Sequence, residues 1–344
     1  MLLETTELMA NGPTSLQTQI QSLLARDPPR AKSLCVTLLG DAIEPHGGNL
    51  WLSDLIELVT PLGINERLLR TSVFRLVAQD WLQSERHGRR SLYRLSPQGL
   101  ALTQQASARI YHGTPAEWDG EWTLVVVPRF GNGSLDKRGE LRRQLVWAGF
   151  GVIAPGVFAL PRDHSATARK VLAQLRMSRQ ALVMGASDLN SVIASAEGNV
   201  DEGLQISELI SQCWDMEGVA RQYQEFIATF GPMHAATQSG MTPDQAFAVR
   251  ALTLHEWRRI VLHDPQLPLQ MLPEDWPGLA ARDLCSRLYW AVFDQAESHL
   301  QSVLGKDTTH FLPLRPYVHK RFGSGPSHAG TPEHQEEPRE MHTG

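Results

Sequence analysis

The sequence is poor in cysteine, with three among 344 residues, Cys35, Cys213 and Cys285, and no CxxC pair. Three widely separated cysteines do not make a disulfide framework, and none has the spacing of zinc ligands, so we expect free thiols and no metal. The sequence contains no run of about 18 apolar residues, so it predicts no transmembrane helix. The first 30 residues lack the basic start and apolar centre of a signal peptide, and we expect a cytoplasmic protein without a membrane partner.

An overall excess of positive charge is also missing, because the formal net charge is −5. Whole-chain charge does not exclude nucleic-acid binding, since only the docking face must be basic. Between Ile64 and Arg94, seven arginines stand against three carboxylates. This stretch is therefore a basic surface within an acidic protein.

Short catalytic motifs are absent as well. The HEWRR run that begins at His255 starts like the zinc motif HExxH but has Arg259 at the second ligand position. We find no phosphate-binding loop, no dinucleotide fingerprint and no GxSxG elbow, and we expect neither a cofactor nor catalysis. An enzyme stays possible at this point, because catalytic groups need not form short motifs.

Hydrophobic spacing predicts an α+β multidomain protein. Residues 1–29 read as a flexible arm, and residues 30–112 as helices near 31–44, 51–59 and 65–80, a β-hairpin turning at Gly88, and a further helix from Ser96. Asn65 is expected to cap the third helix, and Asn49 or Ser53 the second. Three helices followed by a hairpin is the order of a winged helix-turn-helix.

Strands and helices alternate over residues 116–196, which predicts a ferredoxin-like α/β domain with Leu141, Leu145 and Trp147 facing one side of a helix. Residues 200–310 read as a helical domain, with breaks expected at prolines such as Pro232. The stretch 323–344 is rich in Gly, Pro, His and Glu and is expected to be disordered.

The basic residues of the predicted third helix lie on one face of it. On a wheel of the third helix, Arg70, Thr71 and Phe74 lie within about 60° of Arg67, opposite the apolar residues. Arginine suits base and phosphate recognition because its planar fork binds two acceptors together. The expected DNA contacts are Arg67, Arg70, Thr71 and Arg75 of this helix, and Arg86, His87, Arg89 and Arg90 of the hairpin. The alternative is a solvated arginine-rich face of an ordinary helix.

Several segments together resemble one family, the PaaX family of repressors of bacterial phenylacetate-degradation operons. The resemblance runs from about Ala31 to His310. It rests on LLGDAIEPHGGNLWL (38–52), RLLRTSVFRL (67–76), DWL (80–82), GRRSLYRLS (88–96), WDGEWTLVV (118–126), QLVWAGFG (144–151), HEWRRIVLHDPQLPLQMLP (255–273) and DWPG (275–278).

The resemblance implies a homodimeric repressor whose N-terminal winged helix binds double-stranded operator DNA. It implies a middle domain like the ferredoxin fold of CRISPR-associated nucleases, without nuclease activity, and phenylacetyl-CoA as the inducer that releases the DNA. The positions that match the DNA-reading segments are Arg67, Arg70, Thr71, Arg75, Arg89 and Arg90.

An acyl-CoA effector needs cations for its phosphates and an apolar slot for its aryl group. Two clusters offer both: Arg142, Arg143, Trp147 and Phe150, and His255, Trp257, Arg258 and Arg259. Phe158, Arg129 and Tyr223 are weaker candidates. For each cluster the alternative is a set of core aromatics flanked by surface arginines.

Two other functions stay open. One is an acyl-CoA-processing enzyme with an appended DNA-binding domain, and the other is a structural nucleoid-associated protein without operator preference. Turnover of phenylacetyl-CoA would distinguish the enzyme from a sensor.

Overall fold

The computed structural model describes residues 15–113, 117–128, 135–187 and 206–323, and its fold is α+β, with helices and two small antiparallel sheets. The first part of the chain forms α1 (Leu16–Arg26), α2 (Ala31–Leu38), β1 (Asn49–Trp51), α3 (Leu52–Val59), α4 (Glu66–Ala78), β2 (Leu82–His87), β3 (Arg90–Leu95) and α5 (Pro97–His112). A π-helical turn over Leu39–Ile43 and a 3-10 turn over Glu44–His46 continue α2.

The predicted third helix and hairpin are confirmed as α4 and β2–β3. The side chain of Asn65 accepts a hydrogen bond from the backbone N–H of Leu68, as expected of the helix cap. Between α3 and α4 the chain turns at Gly63, whose φ of 81° suits a residue without a Cβ. The hairpin pairs His87 with Arg90 across its turn.

The expected flexible arm is wrong in part. Much of the expected flexible arm is α1, which begins after the Ser15 cap and buries Leu16, Ile20 and Leu23; residues 1–14 of that arm lie outside the described residues. The predicted second helix is confirmed as α3, which starts one residue later than expected because Trp51 pairs with Leu92 in the sheet.

Neither expected cap serves that second helix, because both side chains bind elsewhere. The amide of Asn49 donates to the Gly47 carbonyl, and the hydroxyl of Ser53 donates to Asp54. Helix α3 therefore begins at Leu52 without a side-chain cap.

The middle of the chain forms β4 (Glu121–Val126), α6 (Leu135–Trp147), β5 (Gly151–Ala154), β6 (Val157–Pro161), α7 (Ser165–Gln174) and β7 (Leu182–Ser187). The strand order is β5-β6-β4-β7, and every pair is antiparallel. Val125, Leu141 and Leu145 lie in the core of this unit. Trp147 does not share their side of α6 and is 60% exposed, because two residues rotate a helix by about 200°.

The last part of the described chain is helical, with α8 (Ile206–Cys213), α9 (Met216–Thr237), α10 (Pro243–Val261), α11 (Gly278–Leu304) and 3-10 turns over Leu269–Met271 and Pro316–Gly323. The break expected at Pro232 is wrong, since α9 continues through it. Phe230 and Met233 are buried on either side, and their packing outweighs the backbone hydrogen bond that proline removes. Of the tail expected to be disordered, residues 324–344 lie outside the described chain.

One hydrophobic core runs through both the first and the last part of the chain. It contains buried residues of α1 to α4 together with residues of α9, α10 and α11. Helix α10 lies at its centre, in contact with α1, α2, α5, α9 and α11, and is apolar or enclosed on almost every side. The expected domains 30–112 and 200–310 therefore share a core, whereas the middle unit has its own. Among the described helices, none has the length and apolar character needed to cross a membrane.

Candidate nucleic-acid interface

Helix α4 separates its residues sharply between core and solvent. Leu69, Val73 and Leu76 are buried, and their burial fixes the rotation of the helix. The opposite face exposes all four of the helix residues expected to contact DNA, namely Arg67, Arg70, Thr71 and Arg75.

Among the arginines of this face, Arg70 is held by a weak local contact. Arg70 pairs with Glu66 one turn earlier at 2.6 Å, and both side chains are more than half exposed. An exposed pair of this kind contributes about 0.3–0.5 kcal/mol, so a phosphate or base can replace Glu66 at little cost. The Thr71 hydroxyl donates to the carbonyl of Arg67 at 3.0 Å and keeps its lone pairs for a further donor.

The basic residues of the hairpin differ in the contacts that their side chains make. Arg86 donates to the carbonyl of Gly88 at 3.1 Å, and His87 lies 3.1 Å from the Glu85 carboxylate. The guanidinium of Arg90 stacks 4.0 Å from the centre of the Trp51 ring. Arg90 thus fastens the hairpin to β1, while Arg89 projects from the turn into solvent.

The effector cluster expected on α6 does not converge. Arg142, Arg143 and Trp147 are exposed on the helix, and Arg143 pairs with Glu140. Phe150 lies in the core of the middle unit, away from those exposed side chains. The weaker candidate Phe158 is buried in the same core, and Arg129 lies outside the described residues.

Half of the cluster expected on α10 is core. His255 and Trp257 are each 2% exposed. Trp257 donates its indole N–H to the carbonyl of Ile110 at 2.9 Å. Burial, followed by the charges of Arg259 and Arg258, lowers the pKa of His255 to about 4. A neutral, enclosed imidazole cannot supply a cation for phosphates, whereas the ring of Trp257 lines the pocket described below.

The two arginines of that cluster point to different places, because neighbouring residues of a helix are rotated by about 100°. Arg259 is exposed and binds the carboxylates of Glu256 at 2.9 Å and Asp27 at 3.5 Å. Arg258 instead lines a small cleft between α2 and α5. They do not form one anion site.

The structure shows a pocket that contains the weaker candidate Tyr223 and Trp257 of the α10 cluster, together with residues that the sequence did not indicate. This junction pocket, with a volume of about 40 Å³, lies where the start of α11 and the loop after α10 meet the end of α5. Its aromatic wall is Tyr223, Trp257 and Trp276, and the rest of its lining includes Arg282, Asp264 and Gly113. A possible signal was the segment DWPG, which contains Trp276.

Two features of the junction pocket bear on ligands. The guanidinium of Arg282 donates through one nitrogen to the carbonyl of Tyr111 at 2.9 Å, while its other terminal nitrogen is buried without a partner. Burial lowers the pKa of Arg282. The hydroxyl of Tyr223 donates to Asp264 at 2.6 Å, which holds its ring edge-on to Trp276.

A buried ion network joins the π-helical turn after α2 to the helical part of the chain. Asp41 receives Arg250 at 2.7 Å and Arg321 at 2.8 Å, and Arg250 also donates to Glu297 at 2.5 Å. His46 approaches Glu297 from the other side at 2.9 Å. Burial alone would raise the pKa of Glu297, but the hydrogen bond from His46 and the charge of Arg250 hold it at about 2.

Three models of one protein family match successive parts of the chain. Residues 30–99 match the family model described as PaaX-like protein, residues 115–196 the PaaX protein central Cas2-like domain, and residues 214–302 the PaaX-like protein C-terminal domain. The uncharacterized protein Rv0674 from Mycobacterium tuberculosis has a solved structure with a TM-score of 0.48 and 23% identity, covering 78% of this chain and 97% of that one.

A curated relative is similar to this chain over nearly its whole length. The transcriptional repressor PaaX of Escherichia coli (strain K12) is 32% identical over 314 residues, which are 90% of this chain and 95% of that protein. The three family models match successive parts of the chain that do not overlap. The chain belongs to the PaaX family.

Proposed function

We propose that this chain is a DNA-binding transcriptional repressor of phenylacetate catabolism genes and not an enzyme. Residues 30–112 would be a winged helix-turn-helix with α4 as recognition helix and β2–β3 as wing. The observation that carries the proposal is the two-sided character of α4, whose buried face fixes an exposed face of Arg67, Arg70 and Thr71 beside an arginine-rich hairpin. The Escherichia coli relative is named a transcriptional repressor, which supports the same function.

The roles of the side chains follow from their positions. Arg67 and Arg70 can bind guanine O6 and N7 in the major groove or bridge phosphates. Arg89 of the wing, together with Arg75 and Arg86, suits phosphates or an adjacent minor groove, which adds affinity and salt dependence. One winged helix reads few base pairs, so we propose a two-fold homodimer on a palindromic operator.

For residues 116–196 we propose a ferredoxin-like domain. Its order of elements, β4-α6-β5-β6-α7-β7, and its strand order β5-β6-β4-β7 support this fold. Since fold does not imply function, we assign this domain no activity from its fold.

A gel-shift titration with the protein's own upstream DNA tests the main proposal. We expect a discrete complex that forms before non-specific binding and that phenylacetyl-CoA releases without being consumed. Turnover of phenylacetyl-CoA would instead support the acyl-CoA-processing enzyme. Binding without sequence preference and without a ligand effect would support the nucleoid-associated alternative.

We propose the junction pocket as the place where the aryl group of an acyl-CoA effector binds. Its aromatic wall suits a phenyl ring, and the unpartnered nitrogen of Arg282 suits an acyl oxygen or phosphate. Its volume of about 40 Å³ is small beside the 150 Å³ or so of an engineered cavity that binds benzene. Binding must therefore widen the gap between Gly113 and the loop at Gln266, which gives the effector a means of coupling to DNA binding.

Calorimetry with phenylacetyl-CoA tests this location. We expect Trp276→Ala and Arg282→Gln each to weaken binding at least tenfold. Arg259→Gln, a matched arginine variant on the exposed side of α10, should bind as the unchanged protein does. Unchanged affinity in both pocket variants would place the effector elsewhere while leaving the DNA-binding proposal intact.

A further inference from the structure

We propose that Phe74 reads a thymine in the operator by packing its ring against the C5-methyl group in the major groove. The proposal rests on the proposed function of α4 and adds a base-reading residue of a different chemistry. None of the hydrogen-bonding residues discussed above performs this recognition.

The observation is an apolar ring left in solvent. Phe74 is 74% exposed, the largest exposed fraction of any large hydrophobic side chain in the described part of the chain. Its neighbours Val73 and Leu76 are fully enclosed, so α4 has a well-packed core face to which Phe74 does not belong. A phenylalanine held away from the core gives up a stabilising burial, and a bound partner restores it.

The ring occupies the centre of the proposed reading face. At 100° per residue, Phe74 lies within about 20° of Arg67 and between the directions of Arg70 and Thr71. It stands about 10 Å further along the helix axis than Arg67, so it faces a different base step. A ring has no hydrogen bond to offer, and the apolar feature that base edges present in the major groove is the thymine methyl group.

A second copy of this chain is a poorer partner for the same ring. Arg67, Arg70 and Arg75 surround Phe74 on the exposed face. Two such faces brought together would oppose arginine to arginine, which like-charge repulsion disfavours. The same arginines favour DNA, whose phosphates line both sides of the groove.

Uracil substitution tests the contact, because deoxyuridine differs from thymidine only by that methyl group. A duplex selected by the full chain from a random library is remade with each thymine replaced in turn, and dissociation constants are measured by fluorescence anisotropy. For the unchanged protein we expect about a fourfold loss of affinity when one particular thymine of either half-site is replaced. This factor corresponds to the burial of one carbon, about 0.8 kcal/mol.

Two variants complete the test. Phe74→Ala should bind the selected duplex more weakly and lose the difference between thymine and uracil at that position. Leu182→Ala removes another exposed apolar side chain, on β7, and should keep the full uracil effect. Because Phe74 is exposed, its replacement should leave the thermal unfolding transition unchanged, which circular dichroism checks.

Several outcomes would overturn the proposal. If Phe74→Ala still distinguishes thymine from uracil, the methyl contact is excluded, while the proposal of operator binding stands. The same holds if the unchanged protein binds every uracil-substituted duplex as tightly as the selected duplex. A change of sedimentation mass in Phe74→Ala, with the uracil effect intact, would assign the ring to a protein contact. Failure of the library to yield any preferred sequence would instead remove the proposed function itself.

Discussion

The guanidinium of Arg250 donates to the carboxylate of Asp41 at 2.7 Å, and the two side chains are 2% and 4% exposed. Arg250 lies in the middle of α10, and Asp41 lies in the π-helical turn that follows α2. The pair therefore joins the proposed DNA-binding unit to the helical body inside their shared core.

Breaking this pair should destabilise the whole described core. Arg250→Met leaves Asp41 with fewer donors in a buried site, and loss of one partner of a buried ion pair costs about 3–5 kcal/mol. Urea unfolding followed by circular dichroism measures the change. Arg287→Met removes an exposed arginine from α11, paired with Asp283, and should cost less than 1 kcal/mol. Equal stability of the two variants would contradict the structural role of Arg250.

Acid should weaken the protein through His255. Its pKa is about 4 in the fold against 6.5 for an unperturbed histidine, so the unfolded chain takes up a proton at a higher pH than the folded chain does. The resulting stabilisation, about 3 kcal/mol, is fully present above pH 6.5 and is lost as the pH falls toward 4.

Unfolding free energies across that pH window test the effect. His255→Gln should lose less stability than the unchanged protein between pH 6.5 and 4.5. His263→Gln, which replaces an exposed histidine on the same segment, should follow the unchanged protein. Parallel pH profiles for all three proteins would show that His255 is not the titrating group. The groups near its ring are Arg258, Arg259, Glu256 and Asp27.

Arg70→Ala should reduce operator binding to the non-specific level. A bidentate contact to guanine contributes about 1–3 kcal/mol, and a two-fold complex loses it twice. Footprinting measures specific binding, while sedimentation and calorimetry check that assembly and effector affinity are retained. Arg287→Ala is the control, an exposed arginine on α11 far along the chain from α4. A footprint that survives Arg70→Ala would remove α4 from the role of recognition helix.

The two arginines at the tip of the wing should behave differently. Arg89→Ala removes one phosphate contact from each wing of the proposed dimer, so affinity should fall for every sequence and the dependence of log K on log salt should flatten by about two. Arg90→Ala removes the guanidinium that packs on Trp51, and its main effect should be a less stable hairpin. Anisotropy titrations at several salt concentrations, with thermal unfolding beside them, separate the two effects. Identical salt slopes for Arg89→Ala and the unchanged protein would exclude Arg89 from phosphate contact.

The sequence was sufficient to predict the features that depend on residues close together in the chain. The cap at Asn65, the apolar stripe of α4 and the glycine turn of the hairpin each involve residues a few positions apart. Helical phase alone placed Arg67 and Arg70 on the exposed side. The same reasoning failed for Trp51, because its strand partner Leu92 is distant in sequence and the residue is apolar in either structure.

The effector cluster on α10 shows the limit of a charge pattern. Glu256, Arg258 and Arg259 suggest a solvent-facing side, yet 13 of the 19 residues of this helix are buried. Enclosure by five other helices is a property of the assembled fold, and no periodicity within α10 reports it. The Asp41–Arg250 pair is similar, since its partners are 209 positions apart.

The core that runs from α1 to α11 leaves α4 without a hinge of its own. Inside one copy the reading face shares its core with the helical body, so the two would move together against a groove. In the proposed dimer, the proposed effector would therefore act on the distance and angle between two copies. Induction would then be a mismatch of pitch, in which each half still fits DNA but the spacing of the two halves no longer matches one turn of the double helix.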